Sequence, residues 1–158
     1  KVEGALSALD ANLVRRAEAS LELANSGTLD PASALLLAAA ASEALERETE
    51  HALPDDLLDG QNFAGREAVE SDLTEAIIAI VTPEAMARIV AEDGTAADEL
   101  DRLLAAGRRV QFARNFHAQA VRDVARVRNK RVVRWFRLAG YADLPTSVEF
   151  DDAVPGER

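Results

Sequence analysis

Two parts of the chain combine residue types that can do chemistry. "ETEH", Glu48 to His51, has the Glu-x-x-His spacing that puts both side chains on one helix face and serves di-iron bundles. A di-iron centre needs a second such motif and two further inward glutamates. The chain has two histidines, and the other, His117, is preceded three positions earlier by Arg114. Zinc clusters are equally short of ligands, because there is no cysteine. No Gly-rich loop precedes a helix to cradle phosphate, and no strand-turn-helix elbow presents a serine. The residues therefore assign no catalytic group, no metal ligand and no cofactor.

The other part is "VQFARNFHAQAVRDVARVRNKRVVRWFRLAG", Val110 to Gly140. On a helical wheel Ala113, Phe116, Ala120, Val124 and Val127 share an arc flanked by Val110 and Val121, with Arg108, Gln111, Asn115, Arg122 and Arg126 opposite. His117 falls inside the arc and reads as a neutral interior histidine with one polar partner. Further along, Arg126, Arg128, Lys130, Arg131, Arg134 and Arg137 alternate with apolar residues including Trp135 and Phe136. Cations interleaved with aromatics suit an anionic lipid surface or a protein partner. They also suit nucleic-acid phosphates, but the acidity of the remaining chain opposes that. Plain packing against acidic helices of the same domain is the structural alternative.

That acidity is uneven. Residues 1–107 carry a net −15, residues 108–137 a net +9 and residues 138–158 a net −4, for a total of −10. Alanine makes up about a fifth of the chain and aromatics 4%, a balance that favours helix over strand. At 158 residues the chain forms one domain with its own core. The longest strongly apolar run, Ala34 to Ala41, is far shorter than the roughly 20 residues of a membrane span.

Apolar spacing of three and four predicts a first helix over Lys1 to Ala24 and a second from Pro31, capped by Asp30, to about His51. An acidic connection with proline and glycine covers Leu53 to Glu67. A third helix runs over Arg66 to Val81. Thr82 and Pro83 restart a short one, which ends at Glu92 to Gly94. The last helix runs from Thr95 to about Ala139, with Gly107 offering a break and Gly140 a stop. The expected architecture is all-α: an antiparallel four-helix bundle with long helices and one extra short helix over residues 1–142. A tail over 143–158 is expected to be extended or partly disordered.

"ALSALDANLVRRAE", Ala5 to Glu18, resembles the first-helix signature of the LemA family through Leu9, Asp10, Leu13 and the pair Arg15 and Arg16. "RRVQFARNFHAQAV", Arg108 to Val121, is similar to its last-helix signature through Arg114, Phe116, His117 and Val121, although His117 and Ala118 stand where the family has Tyr-Asn. "WFRLAGYADLPTSVEFDD" sits where that family has its aromatic ending. The resemblance implies a helical bundle with no established enzymatic activity, usually tethered by an N-terminal membrane helix. A chain that starts at Lys1 within a helical pattern fits an anchor upstream, on an undefined side of a membrane. The expectation is a non-enzymatic interaction domain that docks a protein or anionic membrane surface through its basic last helix, with self-association a further partner. The alternatives are a nucleic-acid-binding domain, or a metal-dependent hydrolase using Glu48, His51 or His117.

Overall fold

The computed structural model describes residues 2–50, 64–92, 94–134 and 146–156, with the side chains of 48–50, 64 and 128–134 left aside. It is all-helical, with no strand among the described residues. Its helices are α1 (Val2–Asn25), α2 (Pro31–Glu50), α3 (Ala64–Ile80), α4 (Pro83–Ala91) and α5 (Thr95–Arg134). The Leu53 to Phe63 part of the acidic connection lies outside the described residues.

Local chemistry sets the boundaries. Gly27 takes a φ of 80° in the turn after α1, a left-handed conformation that side chains with a Cβ disfavour. The Asp30 carboxylate then accepts the Ser33 amide at 3.0 Å, which caps α2. Thr82 Oγ1 accepts the Ala85 amide at 3.2 Å, and Pro83 follows at the first helical position, where a missing N–H leaves nothing unpaired.

α1 is the centre of the assembly. It packs along α5 and α2 and, over a short stretch, α3; α2 also packs on α3, and α4 on α5. Arg102 Nη1 lies 3.6 Å from the Glu22 carboxylate near the end of α1, so α5 runs antiparallel to it. One apolar cluster joins Leu23, Leu37, Leu73, Ile77, Ile89, Leu100 and Leu103 across all five helices. A second holds Leu6, Leu9 and Leu13 of α1, Val110 and Ala113 of α5, and Val148 and Phe150 of the C-terminal segment.

One expectation is corrected here. α5 is not broken at Gly107 but runs straight through it. The glycine serves an approach rather than a break: a Cβ there would sit 3.1 Å from Cγ2 of Val154. The described tail, residues 146–156, is a packed part of the domain. Val148, Phe150, Asp152 and Val154 alternate inward with period two, the signature of an extended segment with one covered side.

Candidate functional site

The tail lies in the seam between α3 and α5, which make no extensive contact with each other among the described residues. α3 offers Glu67, Ser71 and Thr74, spaced four and three so that they share a face. Glu67 accepts the Glu149 amide at 2.9 Å, Ser71 Oγ accepts the Asp151 amide at 3.1 Å, and Thr74 Oγ1 lies 2.5 Å from the Asp151 carbonyl. α5 offers Gly107, Gln111 and Arg114 at the same spacing. Gln111 Nε2 donates to the Asp152 carbonyl at 2.9 Å. Arg114 grips the Asp152 carboxylate with Nε at 2.6 Å and Nη2 at 2.9 Å, a bidentate pair. Gln111, placed on the outer side by the wheel, is thus half-buried under the tail.

Beneath the tail lies an ionic core. Arg16 is 2% exposed and Glu70 1%. Arg16 Nη2 donates to Glu70 Oε2 at 2.8 Å and to the Glu70 carbonyl at 3.0 Å, while Nη1 donates to Thr74 Oγ1 at 2.8 Å. Arg66 pairs with Asp10 and lies 3.7 Å from Glu70. The Arg16 and Arg114 guanidinium carbons sit 5.9 Å and 5.7 Å from the centre of the Phe150 ring, within reach of its π face. Every charge here is engaged in holding α1, α3, α5 and the tail together. Among the described residues no three His, Asp or Glu side chains are grouped to hold a metal.

His117 is buried, as the wheel required, but no hydrogen-bond partner meets its Nδ1 among the described residues. Burial pushes its pKa below the ordinary 6.5. As pH falls below about 6.5 the unfolded chain takes up a proton that the folded chain resists. Stability is therefore full above that value and falls as pH drops through it. Thermal unfolding between pH 7.5 and 5.5 is expected to show a smaller decline for His117→Leu than for the parent; parallel curves would contradict this.

The wheel erred on the other side of α5. The buried arc centres on Val110, His117 and Val121, because α1 covers one flank and the tail the other. Phe116, Val124 and Val127, placed inward by the wheel, are exposed, and Phe112 and Phe116 are 76% and 57% exposed. These two rings border an open hollow of about 550 Å³ lined by Ala8, Ala105, Arg108, Arg109 and Ala113. Arg108, Arg109 and Arg122 make no ion pair among the described residues, and Arg126 has only an exposed contact of 3.5 Å with Asp123.

The other residues singled out in the sequence divide as follows. Leu9, Leu13 and Val121 are core, Asp10 and Arg16 belong to the ionic core, and Arg15 is exposed. Arg128, Lys130, Arg131 and Arg134 continue the α5 backbone, but their side chains lie outside the described residues, as do Trp135, Phe136, Arg137, His51 and the side chain of Glu48. No described helix is long and apolar enough to cross a membrane. No family model, curated protein or solved structure matches the chain.

Proposed function

We propose that this is a non-enzymatic interaction domain that docks a partner through the outer face of α5. The observation that carries the reading is the pair Phe112 and Phe116, one helical turn apart and open to solvent beside Arg108 and Arg109. Leaving two large rings in water forgoes about 1.5–3 kcal/mol of burial for each, and a partner that covers them recovers it. Arg108 and Arg109 beside the rings favour carboxylates or other anions on the partner at that face, although the acidic remainder of the domain does not. The LemA resemblance supports the same non-enzymatic reading and adds a membrane setting. Arg16 and Arg114, from its two motifs, meet around Phe150 as structural parts.

An anionic bilayer is the second reading, favoured by arginines adjacent to exposed rings. Photo-crosslinking tests docking: a photoreactive residue at position 112 is expected to give a discrete, saturable adduct in cells producing the protein, and one at exposed Glu75 is not. No adduct from 112, together with no retention on vesicles of phosphatidylcholine and phosphatidylglycerol, would refute the docking face. Retention that disappears in Arg108→Glu/Arg109→Glu would assign it to lipid.

A further inference from the structure

Resting on the reading of α5 as a docking face, we infer that its occupant is a second copy of this chain, paired antiparallel about a two-fold axis at Phe116. The outer stripe of α5 is complementary in size and charge about that residue. Four positions away on either side are Phe112 and Ala120, seven away Arg109 and Asp123, and eleven away Ala105 and Val127. At about 100° per residue all of these fall within roughly 40° of the Phe116 direction, one narrow stripe. Ala105 and Ala120 are half-buried and the others exposed.

Turning a second α5 end for end over Phe116 sets large against small and plus against minus. Phe112 meets the second copy's Ala120, Arg109 meets its Asp123 and Ala105 meets its Val127, and by symmetry each contact occurs twice. Arg109 makes no ion pair among the described residues, and Asp123 holds only the exposed Arg126 contact, so both are available to pair across the axis. The parallel arrangement would set Arg109 against Arg109 and Asp123 against Asp123, so charge selects the antiparallel one.

Space and area agree. Beside the stripe, Ala8 of α1 and its neighbours Gly4 and Ala11 are small and exposed, which lets a second backbone approach. The stripe spans 23 residues from Ala105 to Val127 and is about 33 Å long. With α1 alongside, a seam two helices wide buries roughly 1,300 Å² in total, at the lower end of what stable complexes use. A micromolar dimer is expected rather than an obligate one.

Sedimentation equilibrium of the intact chain tests this over about 1 to 200 µM. The mass should climb from 17.0 kDa towards twice that value. Arg109→Asp and Asp123→Arg, each alone, set like charges together and should weaken association by about tenfold or more. Combined in one chain, they recreate the pairs with signs exchanged and should restore affinity to within about threefold of the parent. Phe116→Glu, which puts two carboxylates on the axis, should leave a monomer. A monomer at every concentration overturns the inference, as does a dimer whose affinity the double reversal fails to rescue. If the chain stays monomeric while position 112 crosslinks to another protein, the second copy is excluded and the docking face stands.

Discussion

Replacing Glu70 with alanine is expected to destabilise the domain by about 3–5 kcal/mol, a loss of roughly 10 °C or more in unfolding temperature. The cause is the charge left behind. Arg16 keeps its bonds to the Glu70 carbonyl and to Thr74 but loses the only carboxylate it touches among the described residues, while remaining 2% exposed. Its Nε already has no partner among the described residues, so no second acceptor stands ready. Arg66 keeps Asp10 and is disturbed less. A paired replacement separates this cause from simple loss of packing. Arg16→Met with Glu70→Leu removes both charges and should recover most of the stability, because two buried ions of opposite sign nearly offset their own desolvation. Chemical denaturation of the three proteins checks it; a double variant as unstable as Glu70→Ala would contradict the account.

The second large effect concerns the tail. Phe150→Ala is expected to cost about 3–5 kcal/mol, the usual range for a buried aromatic. The ring belongs to the cluster of Leu6, Leu9, Leu13, Val110 and Ala113 and lies near two guanidiniums, so its loss leaves a cavity and removes both cation–π contacts. The loss should be local as well as global. Amides of Glu149 and Asp151, bonded to Glu67 and Ser71, should exchange with deuterium much faster, while α2 amides change only with overall stability. Uniform acceleration throughout would mean that the tail is no separate clamp on the α3–α5 seam.

Sequence patterns exposed most of this fold and less of the site. Caps at Asp30 and Thr82 and apolar periodicity located the helices because those signals act within one turn. The depth of Leu9 and Leu13 was likewise visible. What stayed hidden depended on partners distant in sequence. The wheel puts Phe116 and His117 on one inner arc, and only the covering elements decide that His117 is buried and Phe116 is not. α5 is covered on one flank by α1 and on the other by a segment about 40 residues later, which rotates its buried arc towards Gln111 and Arg114. The alternation of Val148, Phe150, Asp152 and Val154 was a usable signal for that segment, and Gly107 marked where it comes close. Arg16 stood out only as one of the arginine pair in the family-like motif, because nothing local reveals Glu70 on another helix.

The inward clamp and the outward stripe are two faces of the same helix. With the tail occupying one flank of α5 and α1 the next, Phe112 and Phe116 are left for a partner. The most direct measurement of that role is a distance between two copies. The chain contains no cysteine, so Arg126→Cys provides a single attachment point for a spin label at an exposed position just beside the stripe. Antiparallel pairing about Phe116 puts the two labels ten residues on either side of the axis, about 30 Å apart along the helices, and pulsed electron resonance at high protein concentration should report a peak near that value. A separation of about 10 Å, the spacing of parallel neighbours, or no dipolar signal at any concentration, would contradict it.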